Sequence, residues 1–234
     1  MPRIVILGAG TGVGKTRVGV ALLRALAAHG CATLGLKPIE SGIPRQPNNP
    51  PGSDAASLAA ASTRHANIVS PFHALRDPVS PHLAARNEGL VIALEPIVNW
   101  VSSAESELTP LVSSDMANWS VVETAGGVFS PLSSSATNFD LARALEPAIW
   151  VLVAADALGV LHDVSATLQA MRARGRVPEH VVLSGAREPD SSTGSNAAEL
   201  QALGITSPSA VLARHDDRGI ASLVERLLAP LSAH

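Results

Sequence analysis

"GAGTGVGKT", residues 8–16, follows directly on the apolar run Ile4-Val5-Ile6-Leu7, so a glycine-rich turn closes a short buried strand. Such a turn holds a dinucleotide, holds a nucleoside triphosphate, or merely packs a helix on a strand. The dinucleotide fingerprint G-x-G-x-x-G puts its third glycine at position 13, which is Val13; starting from Gly10 puts Lys15 in that slot. It also needs an acidic residue after the second strand to grip a ribose, where this chain has Lys37-Pro38. The triphosphate reading requires strand, glycine turn, Gly-Lys-Thr and helix, and Gly14, Lys15 and Thr16 fit that order. Backbone N–H groups from Gly12, Val13 and Gly14 through Arg17 then face a polyphosphate. Lys15 reaches its β/γ oxygens, and the Thr16 hydroxyl binds Mg²⁺. The strict pattern asks for glycine at position 9, where the chain has Ala9, so the Walker A loop is a deviant one. A turn that only packs a helix has no use for Lys-Thr at the helix start.

Outward from this loop, strand-like runs alternate with helical patterns. Ile4–Leu7 and Ala32–Leu36 read as strands, with apolar residues at helical spacing from Thr16 to Ala28 between them. Residues 119–123 (WSVVE) and 148–155 (AIWVLVAA) are continuous apolar runs, as burial on both faces of a parallel sheet demands. HVVLSG and SAVLA give later strands, and helices fill 138–145, 158–173, 196–203 and 219–228. The alternation predicts an α/β fold: one doubly wound, mostly parallel sheet flanked by helices, of the P-loop NTPase type, with residues 1–234 as a single domain. The loops 43–53 and 70–81 are long enough to act as lids.

Composition narrows the function. Apolar residues make up 46% and charged residues 16% of 234, which fits a compact core. The net charge of −3 is spread without a basic stripe, tyrosine is absent and aromatics total 3%, so no nucleic-acid surface is expected. One cysteine, Cys31, suits a reducing compartment. The N-terminal apolar run is too short for a signal segment, and no apolar stretch approaches a membrane span. A cytoplasmic protein that binds no membrane is expected. The eight histidines show no zinc-ligand spacing.

A Mg·nucleotide site needs carboxylates at the C-terminal ends of neighbouring strands. Glu123 ends WSVVE and precedes a Thr-Ala-Gly-Gly turn; Asp54 begins the alanine-rich helix AASLAAAS as a cap or first-turn residue. Lys37 closes the second strand, so its ammonium emerges at the same edge, where it can neutralise a transferring phosphoryl group.

GAGTGVGKT, KPIESG (37–42), SDAASL (53–58), SPHLAAR (80–86), VVETAGGVFSPL (121–132) and LGVLHDVSATL (158–168) together resemble the dethiobiotin synthetase family in order and spacing. The resemblance covers nearly the whole chain. It implies a homodimer that uses ATP (or another nucleoside triphosphate), Mg²⁺ and CO₂ or bicarbonate to close a ureido ring on the diamine 7,8-diaminononanoate. A substrate amine becomes a carbamate, the γ-phosphoryl group activates it as a mixed anhydride, and the second amine displaces phosphate. By the same resemblance Lys15, Lys37, Thr11 and Ser41 are catalytic. Gly12, Val13, Gly14, Lys15, Thr16, Arg17, Asp54, Glu123 and Gly126 hold the nucleotide. Thr16, Asp54 and Glu123 hold Mg²⁺, and Ser41, Gly127, Gly159 and His162 bind substrate, the last two at its carboxylate tail across the dimer interface.

The chain departs from the family pattern at several positions. Ala9 and Gly10 stand where threonine and aspartate are common, and Thr124 replaces a glycine, which narrows the space beside the phosphates. His162-Asp163 replaces Asn-His, and Ser184-Gly185 lies near the place of an asparagine that reads adenine. His82, in SPHLAAR, reads equally as a site residue and as a packed or capping histidine. Two alternatives stay open: a relative that activates a different amine or carboxylate, and a partitioning-type switch ATPase. The switch proteins usually carry an early loop lysine where this chain has Gly10.

Overall fold

The computed structural model describes residues 1–44, 52–66, 70–108 and 117–229. Its strands are β1 (Arg3–Gly8), β2 (Ala32–Leu36), β3 (Ile39–Ser41), β4 (His73–Leu75), β5 (Asn118–Glu123), β6 (Ile149–Asp156), β7 (His180–Gly185) and β8 (Ala210–Leu212). The helices are α1 (Lys15–Ala28), α2 (Asp54–Ala61), α3 (Pro81–Asn87), α4 (Leu94–Leu108), α5 (Asn138–Ala144), α6 (Val160–Ala173), α7 (Asn196–Ala202) and α8 (Ala221–Leu228). Six strands form the main sheet in the order β2-β5-β1-β6-β7-β8, every pairing parallel.

Successive residues of a strand face opposite sides of the sheet, and here both sides are apolar. Ile4, Ile6, Val121, Val151, Val153 and Val182 share one core with Val18, Leu22 and Leu26 of α1, Leu58 of α2 and Leu223 of α8. Val5, Leu7, Val122, Trp150, Leu152 and Leu183 share the other with Ile97 and Val101 of α4, Leu141 of α5, Val164 and Leu168 of α6, and Leu200 of α7. Two-sided burial is why these segments read as unbroken apolar runs, and it confirms the doubly wound architecture. No helix among the described residues is long and apolar enough to cross a membrane.

β1 lies between β5 and β6, and the chain leaves it through α1 toward β2 on one side, whereas β6, β7 and β8 build outward on the other. That divergence opens a crevice at the C-terminal ends of β1, β5 and β2, where open α/β sheets bind ligands. The glycine loop, Glu123 and Lys37 all end there.

The structure adds elements that the sequence pattern leaves out. α4 buries Ile97, Val101 and Ala104 at helical spacing, though Pro96 and the three serines Ser102, Ser103 and Ser106 disguise it. β3 and β4 pair in parallel through three residues each, too few to leave a pattern of alternation. Their pairing corrects the expectation for the loop 70–81: its middle is pinned to β3 by backbone hydrogen bonds and is not a free lid. Most of the other predicted lid, 45–51, lies outside the described residues.

Candidate functional site

β1 delivers the glycine loop to the crevice, and its neighbours hold the loop from both sides. The Ala9 N–H donates to the Val153 carbonyl at 2.8 Å, and the Val128 N–H donates to the Gly8 carbonyl at 2.8 Å. A Cβ on Gly8 would lie 2.6 Å from the Gly10 carbonyl and 3.0 Å from that of Gly126, so the approach of the two loops requires glycine there. Gly14, at φ +92°, turns the chain into α1 in a conformation that side-chain-bearing residues rarely adopt. α1 then begins at Lys15 with no side-chain cap and no acidic residue in its first turn. Its leading N–H groups and the positive end of its dipole are turned to the crevice with no side-chain cap among the described residues, which suits an anion. The start of α2 is built differently. Glu40 accepts from the Asp54 and Ala55 N–H groups at 2.7 and 3.0 Å, and Ser53 Oγ accepts from Ala56 at 3.1 Å.

Four charged side chains meet above these helix ends. Lys37, 3% exposed, places Nζ 2.5 Å from Glu123 Oε1 and 3.0 Å from Asp54 Oδ2, and donates to the Thr124 carbonyl at 3.3 Å. Thr16 Oγ1 donates to the same Glu123 oxygen at 3.0 Å. Burial alone would lower the Lys37 pKa, but the two carboxylates outweigh it and hold it above the ordinary lysine value. Burial would likewise raise Asp54, yet Lys37 and the Thr16 hydroxyl keep it low. Among the described residues Lys15 has no such ion pair: burial, and then repulsion from Lys37, pull it down to about 8 despite Glu123 and Asp54. Burial also pushes the Glu40 carboxyl up, against its backbone hydrogen bonds.

These groups line a cleft of about 900 Å³ with Thr11, Gly12, Ser41, Gly126, Ser130 and Arg187. Two polar atoms in its wall, Ser41 Oγ and Glu123 Oε2, are buried without a hydrogen-bond partner among the described residues. Mg²⁺ takes hard oxygen ligands and keeps several from water and phosphate. The donor set fits that habit: Thr16 Oγ1, Asp54 and the unpartnered Glu123 oxygen are all hard oxygens beside a uncapped helix start. Among the described residues no cluster of three or more His, Cys, Asp or Glu side chains is arranged to hold a metal by itself. The phosphates of a bound nucleotide would have to complete the shell.

The remaining expectations divide. Gly12, Val13, Gly14 and Arg17 border a second cavity of about 290 Å³ with Ser184, Gly185, Arg187 and Arg214. The Arg17 guanidinium is bound to Asp217 at 2.7 Å and to the Ala213 carbonyl, so it faces this cavity's wall. Gly127 is outside the lining of the main cleft; its N–H donates to Ser130 Oγ and its carbonyl accepts from Asn138, which also holds the Ala125 carbonyl. Gly159 caps α6, and His162 is exposed on that helix's first turn; neither lines the cleft of its own chain. Thr124 does not narrow the cleft. Its buried hydroxyl donates to the Ile6 carbonyl at 2.9 Å, because the side chain turns back toward β1. His82 Nδ1 lies 3.0 Å from Ser80 Oγ at the start of α3. The sequence pattern singles out neither Glu40 nor Arg187, and Ser184 enters it only through its place near the family's adenine-reading asparagine. A glutamate next to Ile39, just after Lys37-Pro38, is the available signal for Glu40; nothing local distinguishes Arg187.

The chain matches the family model described as an AAA domain over residues 2–217. It is 36% identical over 193 residues to the ATP-dependent dethiobiotin synthetase BioD of Caulobacter sp. (strain K31), covering 81% of this chain and 79% of that one. To the protein of the same name from Anaeromyxobacter dehalogenans (strain 2CP-1 / ATCC BAA-258) it is 35% identical over 219 residues, covering 91% and 90%. Among solved structures, the MinC:MinD cell division protein complex of Aquifex aeolicus is similar with a TM-score of 0.53 at 13% identity, over 100% of this chain and 99% of that one. A ParA family ATPase from Chlorobium tepidum TLS gives 0.53 at 14%, over 97% and 92%. Likeness at that identity shows a shared fold and nothing finer.

Proposed function

The chain belongs to the family of ATP-dependent dethiobiotin synthetases, and from that premise we propose how its cleft works. It is an ATP-dependent ligase of biotin biosynthesis that forms carbon–nitrogen bonds, closing a ureido ring on 7,8-diaminononanoate. Residues 1–234 act as one domain and work in the cytoplasm. The observation that carries the assignment of roles is the meeting of Lys15, Lys37, Glu123 and Asp54 over the uncapped start of α1.

The triphosphate lies on the N–H groups from Gly12 to Arg17, with Lys15 on its β/γ oxygens. Thr16, Asp54 and Glu123 would hold Mg²⁺, which would supply charge neutralisation on the phosphate oxygens. Lys37 is already charged and fixed between two carboxylates, so it need not reorganise when negative charge develops on the carbamate and γ-phosphoryl oxygens. Thr11 and Ser41 orient the reacting groups; the unpartnered Ser41 hydroxyl is free to donate to a carbamate oxygen. An amine nitrogen bonds to CO₂ and loses a proton. The carbamate oxygen takes the γ-phosphoryl group, releasing ADP, and the second amine attacks the carbonyl carbon as phosphate leaves. Positioning and charge neutralisation carry most of this reaction.

The substrate's carboxylate tail is bound at Gly159 and His162 of a second copy, which makes the working enzyme a homodimer. Their place outside the lining of the cleft of their own chain and the 85% exposure of the adjacent Leu158 support that reading. Sedimentation equilibrium at micromolar concentration should show a dimer; a monomer that turns over would remove both residues from substrate binding. The switch-ATPase alternative rests on the shared fold alone.

The function is tested by phosphate release from ATP with bicarbonate, with and without the diamine and Mg²⁺. Release should depend on both, and the product should exceed the diamine in mass by one carbonyl less two hydrogens. Release indifferent to the diamine would mean another substrate.

A further inference from the structure

We infer that Glu40, which has no part in the proposed reaction, is a positioning residue that fixes where Asp54 presents its carboxylate. The inference rests on the proposal that Asp54 shares Mg²⁺ with the nucleotide. Glu40 sits in β3, paired with Ala74 of β4, and is 6% exposed. Its two oxygens accept separately from the N–H groups of Asp54 and Ala55. With Ser53 bound to the Ala56 N–H, all three leading N–H groups of α2 are held by side chains. The peptide that carries Asp54 is therefore tied directly to β3 and cannot pivot. From that fixed point the Asp54 carboxylate reaches Lys37 at 3.0 Å.

Stability alone does not call for this arrangement. A surface Ser or Asp caps a helix without burying a carboxylate, and Ser53 already supplies such a cap. What Glu40 adds is registration: it joins the sheet edge that bears Ser41 to the helix that bears Asp54. The segment entering α2 contains residues 45–51, outside the described residues, so this tie is the described link between the two. Outer partners that orient a ligating carboxylate affect metal affinity without touching the metal.

A double-mutant cycle read by calorimetry tests this. The affinities of Mg·ATP and of ATP without Mg²⁺ are measured for Glu40→Ala, Asp54→Ala and the double variant. Glu40→Ala should weaken Mg·ATP binding about tenfold, Asp54→Ala at least as much, and the pair no more than Asp54→Ala alone. Metal-free ATP affinity should stay the same in Glu40→Ala. Glu40→Gln keeps the volume but offers one acceptor for two N–H groups, and should fall between wild type and Glu40→Ala. It also keeps the test open if the alanine variant fails to fold. Additive losses would overturn the inference, because Glu40 would then act without Asp54. So would a lower melting temperature with Mg·ATP affinity intact. An effect of Asp54→Ala with none from either Glu40 variant would overturn it alone. No effect from Asp54→Ala would overturn the metal assignment as well.

Discussion

Lys37→Ala should lower diamine-dependent turnover by about a thousandfold while leaving Mg·ATP affinity within a few-fold of wild type. The Lys37 ammonium is held by Glu123 and Asp54 at 2.5 and 3.0 Å, so its charge is in place before any ligand arrives. A donor of that kind matters most where charge develops, and the phosphate contacts proposed for the Gly12–Arg17 loop would not depend on it. The same variant should be markedly less stable without ligand. Glu123 is 1% exposed, and removing its cation leaves a buried charge uncompensated, at a cost of about 3–5 kcal/mol. Mg·ATP should restore part of that loss, since the metal replaces the missing positive charge. Single-turnover phosphate release and denaturant melts with and without Mg·ATP measure both effects. Normal turnover would take Lys37 out of the reaction.

Lys15→Met should abolish nucleotide binding and, in the same protein, stabilise the ligand-free fold at neutral pH. Burial is the main reason that Lys15 titrates near 8 instead of 10.5, with Lys37 adding to it. Its folded pKa is depressed, so the sign is fixed. Below about 8 the side chain is charged in both states and the folded state bears the full penalty, roughly 3 kcal/mol at about 1.4 per pH unit. Between about 8 and 10.5 the unfolded chain holds a proton that the fold does not, and stability rises with pH. Above 10.5 the penalty is gone. The advantage of Lys15→Met should therefore be largest at pH 7 and vanish through that window, as urea melts at several pH values would reveal. Nucleotide binding near pH 8 should also take up a proton, seen as buffer-dependent binding heat. A variant no more stable at pH 7 would show that the native site already compensates this lysine.

How much of this was legible beforehand follows from what sets each feature. The main sheet is legible because two-sided burial leaves unbroken apolar runs such as IVIL and IWVLVAA. Gly14-Lys15-Thr16, Lys37, Asp54 and Glu123 are legible because a phosphate site needs those groups at strand ends and helix starts. What stays hidden depends on pairs distant in sequence. β3 and β4 are too short to show a period and exist because each has the other. Thr124 reads as an obstruction until the fold shows its hydroxyl turned to Ile6. Glu40 gains a role from two peptide N–H groups fourteen and fifteen residues away.

The position of β1 in the sheet bears on how the protein is made. β1 precedes both of its main partners in the chain by a long interval, since they begin only at Asn118 and Ile149. Loop closures of that length slow folding and keep strand edges open until late. A nascent chain that has reached Glu123 carries Lys15, Thr16, Lys37, Asp54 and Glu123, but the strand that covers the far edge of β1 has not yet been synthesised. The nucleotide loop is made before the strands that complete it, so during that interval the open edge of β1 is a surface that a chaperone would shield.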